Sequence, residues 1–146
     1  MWQPKHSQLP TSSRLDQSLA VVIPSYRVTA HVLDVIARIG PEVAMIFVVD
    51  DACPDASGAF VEQNCSDPRV RVIRHEHNRG VGGAMITGYR AALDAGADIM
   101  VKIDGDGQMD PALILRIARP VLARQADYAK GNRFHSLWDV RRMPRV

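Results

Sequence analysis

Apolar residues gather in four short runs along the chain, Leu19 to Pro24, Met45 to Asp50, Val70 to Arg74 and Ile99 to Ile103, with a weaker fifth at Asp127 to Lys130. The runs are short, rich in Val and Ile, and followed by Pro, Asp, Asn or Gly, which predicts strands. Between them lie stretches with helical spacing: Ala30 to Ile39, Asp55 to Asn64, Gly82 to Ala95 and Pro111 to Arg124. The third shows the period most clearly, with Met85, Tyr89 and Leu93 on one stripe and Ile86 beside it. Pro111 follows Asp110, a capping residue ahead of a proline tolerated in the first turn.

Strand and helix alternate, and the strands are apolar throughout instead of at every second residue. That pattern predicts an α/β fold: a doubly wound, mostly parallel sheet with helices on both faces. Ligands of such sheets bind beyond the carboxyl ends of the strands. The informative loops are therefore Pro24-Ser25-Tyr26, Asp50 to Asp55, His75 to Gly83 and Asp104 to Gln108.

Composition narrows the class. With 146 residues, 47% of them hydrophobic, the chain has enough apolar content to fold as one domain, which excludes intrinsic disorder. The apolar runs fall far short of the roughly 20 residues that a membrane-crossing helix needs. Residues 1–17 are polar and lack an apolar signal core, so they are expected to be a flexible lead-in. Two cysteines, Cys53 and Cys65, make no disulfide framework, and a cytoplasmic setting is expected. Eighteen basic residues against 16 acidic give a net charge of +2. The last fourteen residues hold Arg133, Arg141, Arg142 and Arg145 against Asp139. A basic tail of this kind suits a solvated end or a local contact with an anionic membrane surface, and no nucleic-acid groove is expected along the domain.

Three loops carry candidate chemistry. In Asp104-Gly105-Asp106-Gly107-Gln108, two carboxylates are joined by glycines that let the chain bend and turn their oxygens to one point. Mg²⁺ or Mn²⁺ takes such a pair and fills its other positions with water and substrate phosphate; the alternative is a plain acidic turn. Calcium is excluded on spacing, because Met109 and Leu115 stand where a calcium loop needs Gly and Glu. Asp50-Asp51 ends the second strand, where an acidic side chain accepts hydrogen bonds from a base N–H or ribose hydroxyls, or else caps a turn or helix. The better-placed cap for the following helix is Asp55. Asn78-Arg79-Gly80-Val81-Gly82-Gly83 opens a helix, and its free amides with Arg79 suit a phosphate; close packing explains Gly82 and Gly83 equally well.

Other residues carry less. His75 and His77 read as a solvated loop, since no third ligand lies near. Cys53 has no evident base partner, Ser25 lacks a hydrolase elbow, and Trp138 suits either packing or an interfacial anchor.

From Leu19 to about Arg142 the sequence resembles the inverting glycosyltransferases of family 2, which have the GT-A fold. The matching blocks, in order, are Val-Val-Ile-Pro-Ser-Tyr at 21 to 26, Val-Val-Asp-Asp-Ala-Cys-Pro-Asp at 48 to 55, Asn-Arg-Gly-Val-Gly-Gly-Ala at 78 to 84, Asp-Gly-Asp-Gly-Gln at 104 to 108 and Gly-Asn-Arg at 131 to 133. Within the family it is most similar to polyprenyl-phosphate mannosyl and glucosyl synthases. The resemblance implies that Pro24, Tyr26, Val49 and Asp51 line a nucleoside pocket. It implies that Asp104 and Asp106, aided by Gln108, hold Mg²⁺ or Mn²⁺ with the diphosphate, with Gly105 between them at the nucleotide sugar. Arg133 would contact phosphate. Two departures stand out: Arg27-Val28 follows Pro-x-Tyr where the family has Asn-Glu, and Gly-Asn-Arg replaces Gly-Ser-Arg.

The expected organisation is a lead-in at 1–17, a donor-binding domain at 18–134 and a basic tail at 135–146 that begins an acceptor half outside this chain. The expected reaction is transfer of a sugar, with inversion, from a nucleotide sugar to a polyprenyl phosphate or another glycan or lipid acceptor, at the inner face of the membrane. Two other readings are a non-catalytic nucleotide-binding fragment and a nucleotide-dependent oxidoreductase. The latter requires Gly-x-Gly-x-x-Gly after the first strand, where Pro24-Ser25-Tyr26 stands instead.

Overall fold

A computed structural model describes residues 17–131. Four strands, β1 (Leu19–Ser25), β2 (Met45–Asp50), β3 (Val70–Arg74) and β4 (Ile99–Lys102), form one sheet in the order β3-β2-β1-β4, with every pair parallel. The helices are α1 (Val32–Ala37), α2 (Ser57–Asn64), α3 (Gly80–Asp94) and α4 (Ile114–Leu122), the last entered through a 3₁₀ turn at Pro111–Leu113. The chain winds outward from β1 to β3, then α3 carries it back across the sheet to β4 on the far side of β1. Winding therefore reverses between β1 and β4, which makes their carboxyl ends the topological switch point. None of the described helices is long and apolar enough to cross a membrane.

Both faces of the sheet are covered, and that explains the unbroken apolar runs. Leu19, Val21, Ile23, Ile46, Val48, Ile99 and Val101 pack with Val32, Val35, Ile36, Val61 and Ile114 from α1, α2 and α4. The alternate residues Ala20, Val22, Phe47 and Val49 pack under Ala84, Met85 and Ala92 of α3. Successive side chains of a strand point to opposite faces, so a strand sandwiched between helix layers is apolar at every position. Each such side chain contributes about 1.5–3 kcal/mol on leaving water.

Three expectations need correction. Asp127 to Lys130 is not a strand: it lies in irregular backbone, and Tyr128 is 77% exposed. Its Asp and Lys ends leave too little apolar surface to bury on either face. The α3 stripe is also different. Of Met85, Ile86, Tyr89 and Leu93 only Met85 is buried, and Leu93 is 62% exposed. The face against the sheet is made instead of Ala84, Gly88 and Ala92, spaced four apart. The third correction concerns the glycines: a side chain at Gly82 would meet open space, and one at Gly83 would meet only the Arg79 side chain. Close packing falls at Gly88, where a Cβ would lie 2.2 Å from Val22 Cγ1 and 3.2 Å from Val49 Cγ2.

Gly88→Ala should therefore destabilise the fold by about 1–3 kcal/mol, the usual cost of overpacking. Gly82→Ala should be neutral or stabilise by up to about 1 kcal/mol, because alanine favours an exposed helix. Urea unfolding midpoints of the two variants check this, and equal midpoints would contradict the seat assigned to Gly88.

Candidate functional site

At the switch point the loops enclose a cavity of about 430 Å³. Pro24, Tyr26, Arg27 and Val28 line it from the end of β1, and Asp51 from the end of β2. Asn78, Gly80 and Val81 contribute from the start of α3, and Asp104, Gly105 and Asp106 from beyond β4. The Arg27 guanidinium lies 5.6 Å from the Tyr26 ring centre, so the first departure from the family pattern places a cation at the cavity.

The two adjacent aspartates do different work. Asp50 is buried, and its two oxygens accept from the amides of Cys53 and Gly58, each at 2.7 Å. It thus caps the first turn of α2, a role the sequence suggested for Asp55. The helix starts at Ser57 because Ala56 takes a left-handed conformation with φ 50 and Asp50 supplies the acceptor from behind. Gly58 is required there, since a Cβ would stand 2.7 Å from Asp50 Oδ2.

Asp51 faces the cavity. Its Oδ1 accepts from His75 Nδ1 at 2.7 Å and from the Arg79 amide at 2.8 Å. Burial raises its pKa, but hydrogen bonds from His75 and the Arg79 amide, together with the imidazole's charge, outweigh burial and hold the carboxyl below the ordinary value of 3.8. His75 is no solvated loop residue: its side chain is only 4% exposed, and Nε2 lies 2.8 Å from Thr87 Oγ1. In sequence His75 reads as a loop residue and Thr87 is not singled out, because their meeting depends on α3 crossing the end of β2.

Beyond β4, the Asp104 carboxylate is 2.8 Å from Lys102 Nζ, and Asp106 accepts from the Gln108 amide at 3.0 Å. Gly105 is buried, with a would-be Cβ 3.1 Å from Val28 Cγ2, and Gly107 has φ +78. The glycines let this loop pass close under β1 and turn sharply, so that both carboxylates border the same cavity. Two such carboxylates on a cavity suit a magnesium- or manganese-sized ion whose remaining ligands come from water and phosphate. Among the described residues, no group of three or more His, Cys, Asp or Glu comes together as a metal cage.

The remaining expected residues take other places. Val49 is fully buried in the core beneath α3, with no surface for a ligand. Arg79 reaches Asp51 through its amide, and Gln108 is exposed and meets Asp106 through its own amide. Neither lines the cavity; Arg133 lies outside the described residues. Cys53 ties two loops together, its sulfur accepting from the Arg27 amide at 3.0 Å. Burial raises the thiol's pKa, and bonds from Ser57 and neighbouring amides more than reverse this. Both Arg27 and Ala52 have positive φ, so the sulfur braces strained backbone at the cavity's edge.

The sheet order and the cavity's position define an open α/β domain that binds its ligand at a topological switch point. Residues 20–146 match Glycosyl transferase family 2, and the chain belongs to that family. It is 33% identical over 140 residues to polyprenol monophosphomannose synthase of Mycolicibacterium smegmatis, covering 92% of this chain and 52% of that protein. It is 29% identical over 143 residues to UDP-N-acetylglucosamine--dolichyl-phosphate N-acetylglucosaminyltransferase of Methanococcus voltae, covering 88% of this chain and 57% of that protein. The chain spans about half the length of these curated relatives. Mannosyl-3-phosphoglycerate synthase from Rubrobacter xylanophilus shares the fold, with a TM-score of 0.59 at 24% identity over 74% of this chain and 37% of that one. The expected GT-A architecture is the one observed.

Because the folded-state pKa of Asp51 is depressed, its contribution to stability is complete above the ordinary carboxylate pKa and is lost as pH falls through the folded value. Asp51→Asn should be less stable than wild type at neutral pH, with the gap closing as pH falls below the ordinary carboxylate value of 3.8 and through the lower folded value. Urea midpoints measured across that range test the sign, and a gap that widens in acid would refute it.

Proposed function

We propose that this chain is the donor-binding part of a glycosyltransferase that uses a nucleoside-diphosphate sugar with Mg²⁺ or Mn²⁺ and transfers the sugar with inversion to a polyprenyl phosphate. One observation carries the reading. In a family 2 glycosyltransferase chain, the buried carboxylate of Asp51 and the Asp104/Asp106 pair border one cavity at the switch point.

Asp51, ionised and acceptor-only, suits a base N–H or a ribose hydroxyl, with Pro24 and Tyr26 beside it. The Asp104/Asp106 pair would hold the cation, which when bound supplies positive charge to the departing diphosphate. Without that charge, three carboxylates on one cavity oppose a diphosphate, and Arg27 offsets only part of them. Lys102 leans on Asp104 and orients that carboxylate. Gly105 gives the donor close approach to backbone, Gln108 steadies Asp106 through its amide, Arg79 contributes its amide to Asp51, and Arg133 would supply a cation toward phosphate.

The same side chains bear on the acceptor. A phosphate oxygen is already an anionic nucleophile, whereas a sugar hydroxyl needs a base to take its proton. Asp51 is committed to His75 and Arg79, and Asp104 to Lys102, which favours an acceptor that needs no base. The relatives' names, one a dolichyl-phosphate transferase and one a polyprenol monophosphomannose synthase, support the same class. Such an acceptor lies at a membrane surface, where the basic segment at 133–146 would add electrostatic attraction.

Nucleoside diphosphate should bind wild type at least about tenfold more tightly with Mn²⁺ than with EDTA, a difference of about 1.4 kcal/mol or more. Asp104→Asn and Asp106→Asn should lose that metal dependence. Calorimetric titration with UDP and GDP measures it, and equal affinity in Mn²⁺ and EDTA for folded wild type would end the reading. Asp51→Ala should weaken nucleotide by about 1.5–3 kcal/mol, the worth of a hydrogen bond to a charged group, while sparing inorganic diphosphate. Parallel losses for both ligands would place Asp51 in metal or fold support instead.

A further inference from the structure

We propose that His75 is a positioning residue for nucleoside recognition: its imidazole, anchored on α3 by Thr87, fixes the Asp51 carboxylate so that one chosen oxygen meets the ligand. The inference rests on the assignment of Asp51 to the nucleoside.

His75 is the first residue after β3, and its amide donates to the Asp50 carbonyl at 2.8 Å, so the backbone here still follows the sheet. Its ring fills the space between the end of β2 and α3, with the His75 and Asp51 side chains 4% and 5% exposed. Such a buried imidazole–carboxylate contact is retained only where both groups find partners. Asp51 is ionised at neutral pH, because its carboxyl is held below the ordinary range, and it can only accept. Nδ1 must therefore carry the proton. Thr87 Oγ1, at 2.8 Å from Nε2, serves as a donor to a neutral ring or an acceptor from a charged one. The hydroxyl thus holds the ring's orientation in either state.

The consequence lies in which oxygen is used. His75 and the Arg79 amide both bond Oδ1, so Oδ2 is the oxygen available to a ligand in the cavity that Asp51 lines. Rotating the carboxylate would break two bonds at once. A base N–H or ribose hydroxyl consequently meets an acceptor whose orientation has been fixed before binding, which spares the ordering cost that a free side chain would incur. The same two bonds join Asp51 to the segment leading from β3 into α3, whose Asn78 and Gly80 line the cavity. His75 itself does not line the cavity, so it acts through Asp51.

Asparagine and glutamine separate this role from simple packing. The Asn amide branches where Nδ1 sits and can donate to Asp51, whereas the Gln amide reaches toward Thr87 and leaves Asp51 unserved. His75→Ala and His75→Gln should weaken UDP and GDP binding in Mn²⁺ about tenfold, the loss expected for one charge-assisted bond, and leave inorganic diphosphate within about twofold. His75→Asn should restore most of the nucleotide affinity lost in His75→Ala. If His75→Ala does not fold, the contrast between Asn and Gln decides alone, since each keeps one of the two bonds. Wild-type nucleotide affinity in His75→Gln, equal losses for nucleotide and diphosphate, or no advantage of Asn over Gln would each overturn the proposal. Asp51→Ala, measured alongside, keeps the two readings apart. A nucleotide-specific loss there with no effect at His75 overturns this inference alone. No such loss in Asp51→Ala overturns the nucleoside assignment and this inference with it.

Discussion

The return of α3 across the sheet is the constraint on which the rest of this molecule depends. A helix that crosses a surface of Val22, Phe47 and Val49 must approach closely or leave a void, and Gly88 is where the approach is closest. The crossing delivers the chain to β4 beside β1, which gives the strand order β3-β2-β1-β4 and hence the switch point. It also sets where α3 begins, bringing Gly80 and Val81 to the cavity, and it places Thr87, the neighbour of Gly88, against His75. Packing and site are therefore joined by adjacent residues of one helix.

Buried carboxylates show how the fold divides labour between structure and recognition. A charge removed from water must be repaid with hydrogen bonds, and Asp50 receives them from two amides within its own loop and helix. Both of its oxygens are engaged and it does not line the cavity, which makes it a structural cap. Asp51 receives its bonds from a histidine and from amides across the sheet, with His75 and the Arg79 amide both on Oδ1. Two identical residues, adjacent in the chain, thus acquire different surroundings, one tied into its own loop and helix and the other bordering the cavity.

Electrostatics gives the cavity its character. Asp51, Asp104 and Asp106 bring three carboxylates to one cavity, and in the proposed donor-binding role a counter-cation answers them. Gly105 lets the acidic loop lie close under Val28 and Ile23, and Gly107, with φ +78, turns it. Cys53 and the positive φ of Arg27 and Ala52 show the facing loops held in tension against it.

Much of this was written in the sequence. The runs Met45 to Asp50 and Val70 to Arg74 are strands with those same bounds. The first, buried along nearly its whole length, leaves an unbroken apolar signature, whereas the second is an edge strand with no buried residue and was legible from its Val and Ile alone. The placement of Asp51, Asp104, Gly105 and Asp106 at strand ends followed from that reading, since strand-end loops are continuous in sequence with the strands they follow. What the sequence could not supply were relations between segments far apart in the chain. Tertiary structure decided that Ala84, Gly88 and Ala92, and not the larger Ile86, Tyr89 and Leu93, face the sheet, because depth of approach and not hydrophobicity limits that contact. It decided that Asp50 and not Asp55 caps α2, because the cap arrives from the preceding strand. It decided that His75 is buried between Asp51 and Thr87, because a hydrogen bond between residues 24 positions apart leaves no local period or propensity to read.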